Sequence, residues 1–535
     1  MSARNSNKKW MIIMPVVLAV VLTLGLWLGK RMAGVSGDQY FIYPPTDKIS
    51  SMLDYIEERY VDPVSRYDLV EEAIPQILRN LDPHSIYIPV EEMQAMNEPL
   101  EGNFDGIGVQ FNIQNDTIVV ISTITGGPSE FQGILPGDRI VTIDDTIYVG
   151  PKITSEGVMK KLRGKEGSIV TVGICRRGSP DIMVFEITRG KIPLYSLDVA
   201  YMIDETIGYI KISNFSRTTH REFLQAAEKL KRKGMQKAIL DLRGNGGGYM
   251  DAAVNIADEF IDGKKLIVYT EGRAQPRSSS YSNPGGVCVN IGVVIMIDEW
   301  SASASEILAG AIQDNDRGTI IGRRSFGKGL VQEPTEFYDG SGLRLTIARY
   351  YTPTGRCIQR PYNENVEDYY GDIGNRFVHG EFSVRDSIQL PDSLRYTTPG
   401  GKAVYGGGGI MPDVFVPVDT SGYSVYLTKI TNKGLIYKFA FEYVDTHRTE
   451  MSGLKNVEQI LQFLAGQDVF GLFITYAALR GVHGNRTEIN ISRKIIDTQL
   501  KAFIARNLLD NEGYFPVIAD IDATLQKAKV ILHSH

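Results

Sequence analysis

Between residues 190 and 360, short apolar runs alternate with helical segments, and this alternation constrains the fold more than any other feature of the chain. The helical segments repeat small or apolar residues at i, i+3, i+4 and i+7, as in Ala304, Ile307, Leu308 and Ala311. The runs between them, such as 237–242 and 292–298, are short and mostly apolar, as buried strands are. The pattern therefore predicts a layered α/β domain, which we place at 190–420.

The rest of the chain shows two other sequence patterns. Short strands punctuated by glycine predict a compact, mostly β module at 101–189, and helical periodicity predicts a small helical domain at 40–100. Helical periodicity returns near the end of the chain and predicts a helical extension at 421–535.

Residues 10–29 form an uncharged stretch of twenty residues. At about 1.5 Å per residue, such a helix spans a hydrocarbon core about 30 Å thick. Cleaved signal peptides usually have a shorter apolar stretch and a small-x-small cleavage site, which we do not find after Lys30 and Arg31. We therefore expect a single uncleaved transmembrane helix at 10–29, a cytoplasmic tail at 1–9, and the remainder outside the cytoplasmic membrane.

Composition excludes several classes of protein. Hydrophobic residues make up 43% of the chain and charged residues 22%, which is ordinary for a globular protein. The formal net charge of −6 argues against a partner of nucleic acid. Three cysteines allow at most one disulfide and no multi-cysteine zinc site.

The glycine-rich loop at 241–248 joins a predicted buried strand to a helix. It does not fit the dinucleotide-binding fingerprint, because Tyr249 stands where the third glycine belongs. Its consecutive N–H groups could hold a developing oxyanion, whereas the plainer interpretation is a tight turn. The residues alone leave both open.

The segment 322–329 nearly matches a phosphate-binding loop, but Gly329 replaces the hydroxyl residue and Pro334 prevents the helix that should follow. A nucleotide site is therefore not expected. What remains is Lys328 in a largely uncharged turn after a buried strand. Desolvation there would lower the pKa of the lysine toward that of a general base. The alternative is an ordinary exposed loop lysine.

Serines at 301, 303 and 305 occupy the turn between a buried strand and a helix. A serine in this position places its hydroxyl beside free N–H groups that can stabilise a tetrahedral intermediate. Ser303 and Glu306 also fit the S-x-x-E capping box, which would explain one serine but not three. Neither this turn nor the 322–329 segment contains a histidine to serve as the base.

Residues 301–314, followed by 322–332, resemble the signature of the C-terminal processing peptidases, also called tail-specific proteases. The resemblance implies a serine endopeptidase with Ser303 as nucleophile, Lys328 as base and Gln332 orienting the lysine. It further implies an oxyanion hole and one additional family position of unassigned role. These fall on Ala304, Gly247 and Gly248 for the oxyanion hole, and on Asp314 for the additional position. Gly246 stands where the family usually has proline.

The resemblance covers about residues 45–420 and includes the β module. Residues 80–89 resemble the segment that precedes the family's PDZ domain, and the module itself resembles a PDZ domain in the permuted bacterial order. Its carboxylate-binding loop would consist of Gly106, Ile107, Gly108 and Val109.

The resemblance also implies partners and a location. We expect substrates with unstructured apolar C-termini, no cofactor or metal, and a single-pass protein of the bacterial inner membrane with its catalytic part in the periplasm. The rival hypothesis is a catalytically inert, membrane-tethered PDZ scaffold, against which the serine, lysine and glutamine together argue. A homo-oligomer, a regulatory adaptor and a protease held inactive by its PDZ domain are left open.

Overall fold

The structure is a computed structural model that describes residues 6–33, 48–362, 366–388 and 391–534. The chain divides into two units, 1–76 and 77–535. The first unit contains α1 (Ser6–Ala33), α2 (Lys48–Arg59) and most of α3 (Arg66–Arg79). Of the predicted segments, residues 1–5 of the tail and 40–47 of the helical domain lie outside the described residues.

The predicted membrane segment at 10–29 lies within α1, whose side chains are described from Met14 to Leu28. Among the residues that the structure describes, no single helix is both long and apolar enough to cross a membrane. One pair of helices, bent by 75° at residues 466–468, reaches that length only when taken together.

The second unit opens with a short strand and a helix that lead into the glycine-punctuated β module. The elements of this region are β1 (Ile86–Ile88), α4 (Val90–Glu101), β2 (Asn103–Gly106), β3 (Val109–Gln114), β4 (Thr117–Thr123), α5 (Pro128–Phe131), β5 (Arg139–Ile143), β6 (Thr146–Ile147), α6 (Ser155–Leu162), β7 (Ile169–Cys175), β8 (Met183–Thr188) and β9 (Gly190–Pro193). Strands β3-β4-β5-β7-β8 form one antiparallel sheet, with β6 paired to β5, and β2 pairs with β9 at the base of the module.

The α/β domain contains a six-stranded sheet and a second antiparallel sheet. Its elements are β10 (Leu197–Met202), β11 (Ile207–Ile212), α7 (Thr219–Arg232), β12 (Lys237–Asp241), α8 (Met250–Asp258), β13 (Leu266–Glu271), β14 (Ser278–Tyr281), β15 (Gly292–Ile297), α9 (Ala304–Asp314), β16 (Thr319–Gly322), β17 (Leu330–Glu336), β18 (Gly342–Tyr351), α10 (Val366–Val378), β19 (Arg395–Thr397), β20 (Ala403–Tyr405) and β21 (Val414–Phe415). The six-stranded sheet has the order β10-β11-β12-β15-β16-β21, parallel from β11 onward. The second sheet joins β1 to β18, which also pairs with β13 and β17.

Both faces of the six-stranded sheet are buried, as its mostly apolar strands predict. Alternate residues of β12 face opposite sides: Ala238 and Leu240 pack with α7, α8 and α9, whereas Ile239 lies in a separate cluster. The second cluster is completed from the end of the chain, by Leu525, Ala528 and Leu532.

These residues belong to the helical extension, whose elements are α11 (Val425–Asn432), α12 (Leu435–Thr446), α13 (Arg448–Met451), α14 (Val457–Ala465), α15 (Val469–Leu479), α16 (Arg486–Ile491), α17 (Arg493–Ile518) and α18 (Ala523–Ser534). Most of the extension has its own core. Helix α18, however, packs on the six-stranded sheet, so the predicted boundary at residue 420 does not separate two independent cores.

Candidate active site

Ser303 is the N-cap residue of α9 and lies in the turn after β15. Its φ of 56° and ψ of −113° are rare for a residue other than glycine, and such strain costs about 1–3 kcal/mol. The flanking Ser301 and Ser305 are fully buried. Their hydroxyls donate to the carbonyls of Leu242 and Asn245, at 2.8 and 2.9 Å. Two of the three serines thus attach the turn to the glycine-rich loop, and only Ser303 is not fully buried.

The carboxylate of Glu306 connects the serine turn to the segment that carries Lys328. It accepts the N–H of Ser303 at 2.8 Å, the N–H of Gly327 at 2.7 Å and the N–H of Lys328 at 2.9 Å. The hydroxyl of Ser325 donates to it as well, at 2.5 Å. Burial raises the pKa of Glu306 to about 7, against the effect of these hydrogen bonds. The capping-box pattern pointed to this glutamate but not to its contacts with the lysine segment.

Lys328 is partly buried, and its Nζ donates to Oε1 of Gln332 at 3.1 Å. Burial and the cationic Arg344 lower the pKa of Lys328, while Asp82 and Glu306 oppose the shift. Lys328 is therefore a partly buried residue with a lowered pKa, and not an ordinary exposed loop lysine.

Gln332 follows a register shift in the pairing of β17 with β18, which lies between Val331 and Gln332. Its Nε2 donates to the carbonyl of His84, from the segment that precedes the β module. The imidazole of His84 lies 2.7 Å from the hydroxyl of Tyr369, and burial lowers the pKa of His84 to about 3, so the ring is neutral at neutral pH. Sequence reasoning missed both His84 and Tyr369.

In the described part of the chain, Oγ of Ser303 and Nζ of Lys328 do not share a hydrogen bond, and the two residues are joined through their main chains instead. The buried hydroxyl of Tyr350 lies 2.6 Å from the carbonyl oxygen of Lys328 and 3.2 Å from that of Ser303. No sequence signal distinguishes this tyrosine from the other residues of its strand.

The glycine-rich loop lies directly against the serine turn. A Cβ on Gly247 would come within 2.7 Å of Cβ of Ser303, and one on Gly248 within 2.0 Å of the carbonyl oxygen of Phe215. The N–H of Gly247 already donates to Oδ1 of Asn245 at 2.8 Å, so this amide is engaged within the loop. Phe215 bonds the Gly247 carbonyl and the Tyr249 N–H, which leaves the intervening Gly248 N–H directed away from Phe215. Ala304 begins α9, where helical bonding leaves N–H groups free.

Asp314 lies at the far end of α9, about 15 Å along the helix from Ala304. Its carboxylate forms an ion pair of 2.7 Å with Arg356, and both side chains are fully buried. It also accepts the hydroxyl and N–H of Thr354, at 2.7 and 3.1 Å. The structure therefore does not bring Asp314 to Ser303, and its place is in a buried structural ion pair.

The predicted carboxylate-binding loop lies at one end of a groove of about 90 Å³ between β3 and α6. Among the described residues, β3 pairs with β4 along one edge only, which leaves its other edge for an added strand. The groove is lined mostly by apolar side chains, with one arginine at its rim: Phe104, Ile107, Gly108, Val109, Phe111, Met159, Leu162 and Arg163.

Comparison with known families agrees with these features. The sequence profile described as peptidase family S41 matches residues 206–367, and that of a PDZ domain matches residues 106–182. A profile described as a family of unknown function matches residues 426–510, within the helical extension.

Curated relatives share the same regions. The chain is 32% identical to the carboxy-terminal processing protease CtpA of Bacillus subtilis over 360 residues, which cover 66% of this chain and 74% of CtpA. It is 35% identical to a carboxy-terminal-processing protease of Bartonella bacilliformis over 323 residues, 59% of this chain and 73% of the relative. With CtpB of Bacillus subtilis it shares 32% identity over 320 residues, 59% of this chain and 65% of CtpB. The chain therefore belongs to peptidase family S41, as a serine peptidase related to the carboxy-terminal processing proteases.

Proposed function

We propose that this serine peptidase cleaves protein substrates that it captures by their free C-termini, using Ser303 as nucleophile and Lys328 as general base. One observation carries the assignment. Lys328 is partly buried, its Nζ is held by Gln332, and its main chain is fastened through Glu306 to the turn that carries Ser303. The rival hypothesis of an inert scaffold is not favoured, because the chain belongs to a family of peptidases and also has this arrangement of residues.

The proposed reaction begins when Oγ of Ser303 attacks the carbonyl carbon of the peptide bond while Lys328 accepts the hydroxyl proton. Catalytic hydrogen bonds often tighten only when substrate is present, and the contact between Nζ and Oγ would form at that stage. We assign the oxyanion to the N–H groups of Ala304 and Gly248, since the Gly247 amide is engaged by Asn245. Lys328 then returns the proton to the leaving amine, and water hydrolyses the acyl-enzyme.

Substrate capture is assigned to the groove between β3 and α6. A C-terminal strand would pair with the free edge of β3 and place its carboxylate at residues 106–109. The apolar lining, with side chains such as Phe111 and Met159, favours an apolar terminal residue. An unstructured tail is required because only an extended segment can add to a strand edge.

The test uses the chain without residues 1–47 and a carrier protein with an unstructured apolar tail. Ser303→Ala should abolish cleavage while peptide binding and the unfolding temperature stay unchanged. Ser452→Ala, an exposed serine of the extension, should behave as the unsubstituted protein. Continued cleavage by Ser303→Ala would refute the assignment of the nucleophile.

We further propose that residues 10–29 anchor the chain in the inner membrane of a bacterium, with residues from 48 onward in the periplasm. The length and uncharged composition of the segment and the basic residues before it support this. The unsubstituted chain should stay with the membrane fraction during alkaline extraction. A chain with lysine at both Val20 and Leu22 should be released. If the unsubstituted chain is itself extracted, the segment is not an anchor.

A further inference from the structure

We propose that Asp82 is a positioning residue for the base Lys328: its carboxylate fixes the turn whose His84 carbonyl orients Gln332, and supplies negative charge close to the lysine. This inference rests on the proposed role of Lys328. Asp82 belongs to the segment before the β module, outside the two motifs that contain Ser303 and Lys328.

The Asp82 side chain is buried and organises the turn that follows it. Its Oδ1 accepts the N–H groups of His84 and Ser85, both at 2.8 Å, and its Oδ2 accepts the Ser85 hydroxyl at 2.5 Å. Thr346 on β18 donates its hydroxyl to Oδ1 at 3.1 Å. Thr346 stands opposite Gln332 in the β17–β18 pairing, so Asp82 is joined directly to the strand pair that carries Gln332.

The turn determines which end of the Gln332 amide faces the lysine. A main-chain carbonyl accepts hydrogen bonds and cannot donate them, so the contact with His84 must be made by Nε2 of Gln332. The amide oxygen is then turned to Lys328, whose Nζ donates to it at 3.1 Å. One N–H of the neutral lysine amine is thereby directed to Gln332. The lone pair of the amine is then free to face the Ser303 hydroxyl. Loss of the turn would let the amide rotate and the lysine lose this alignment.

The charges around Lys328 come from several elements. Arg344 on β18 disfavours a charged lysine, while Asp82 and Glu306 favour it. The imidazole of His84 is neutral at working pH and adds no cation. Removing the negative charge of Asp82 should therefore lower the pKa of Lys328 and make the base available at lower pH.

The decisive variant is Asp82→Asn, because an amide keeps Oδ1 for the N–H groups of His84 and Ser85. Its Nδ2 can donate to the Ser85 hydroxyl, so the turn is retained and the charge is lost. We expect the Lys328 limb of the pH profile of kcat/KM to move to lower pH by on the order of one unit, as for the loss of a nearby opposite charge. At high pH, where the profile is flat, kcat should stay within roughly threefold of the value for the unsubstituted enzyme, since the turn is intact.

Asp82→Ala removes the turn as well as the charge and should lower the plateau kcat by roughly tenfold or more through misplacement of the base. Thermal unfolding of each variant separates this loss from loss of folding, and Asp82→Asn carries the test if Asp82→Ala does not fold. The matched control is Asp204→Asn. Asp204 forms the same kind of turn, accepting the N–H groups of Thr206 and Ile207 at 2.9 and 2.8 Å. It lies before β11, at the end of the six-stranded sheet away from the glycine-rich loop. Its pH profile should not move.

The inference is overturned if the pH profile of kcat/KM for Asp82→Asn does not move or moves to higher pH. It is also overturned if folded Asp82→Ala keeps the kcat of the unsubstituted enzyme at high pH. Ser303→Ala keeps this outcome separate from the proposed function. If Ser303→Ala is inactive and Asp82→Asn does not shift, only the role of Asp82 fails. If Ser303→Ala still cleaves, the proposed chemistry itself fails.

Discussion

Replacing Gly247 by alanine should impair catalysis far more than the same change at the neighbouring Gly246. A Cβ on Gly247 would lie 2.7 Å from Cβ of Ser303 and 2.8 Å from the carbonyl oxygen of Ala302. Apolar carbons pack at about 3.5–4.0 Å, so the loop and the serine turn must separate by about 1 Å. Gly247 also has a φ of 102°, which alanine rarely adopts and which adds about 1–2 kcal/mol of strain.

A displacement of about 1 Å at a catalytic group can cost on the order of 100-fold in rate, or about 2.7 kcal/mol of transition-state stabilisation. We therefore expect Gly247→Ala to lower kcat about 100-fold. Gly246→Ala is the matched control, because a Cβ there meets no atom within 4 Å and its φ is not in the left-handed region. It should retain kcat within about threefold, since a surface substitution without contacts is usually near neutral.

The assay is single-turnover cleavage of a tailed substrate at saturating enzyme, with thermal unfolding measured alongside. Saturation separates the chemical step from capture of the C-terminus, which both variants should leave unchanged. If Gly247→Ala keeps kcat within threefold while folded, or if Gly246→Ala loses as much activity, the close approach of the loop to Ser303 does not determine catalysis.

Three further changes test other parts of the structure. Lys328→Met should abolish cleavage, whereas the control Lys237→Met should not. Activity of the unsubstituted enzyme should rise with pH, because Lys328 acts as a base only above its lowered pKa. A pH-independent rate would contradict this. Asp314→Asn should lower the free energy of unfolding in urea by about 3–5 kcal/mol, because Arg356 is left buried without its counter-charge, while kcat of the folded protein changes little. Removing residues 523–535 should lower the unfolding temperature and the soluble yield, because the second face of the six-stranded sheet is then exposed.

The alternation of strands and helices was sufficient to predict the layered α/β domain. The carboxyl ends of parallel strands lie along one edge of a sheet, so the turn after β15 and the loop after β12 had to be neighbours. The motif resemblance then pointed to Ser303 in the turn after β15 and to Lys328 in the segment after β16. The positive φ of Gly247 belongs to the glycine-rich loop itself, whereas its close approach to Ser303 is a contact between distant segments of the chain.

Contacts over long sequence separations could not be predicted in the same way. Glu306 showed the pattern of a helix cap, and nothing in that pattern indicated that its carboxylate would also hold the Lys328 segment. Asp82 and Tyr350 reach the site from elements far away in the chain. Helical periodicity predicted the extension as a whole, but periodicity shows that a face is buried and not which surface buries it, so the packing of α18 on the sheet could not be predicted.

The helical extension contacts the PDZ domain and the peptidase sheet with very different strengths. On the PDZ side, Asp445 pairs with Arg139 at 3.2 Å, and its main-chain carbonyl accepts a hydrogen bond from Arg177. The two arginine side chains are 35% and 62% exposed, so each ion pair contributes on the order of 1 kcal/mol or less. On the peptidase side, Asp522 accepts two hydrogen bonds from Arg243, of 2.6 and 3.0 Å, within the glycine-rich loop. Helix α18 adds buried apolar side chains to this contact. The extension is thus part of the peptidase scaffold, and a force that separates the PDZ domain from the extension should break the Asp445 contact before it disturbs the loop beside Ser303.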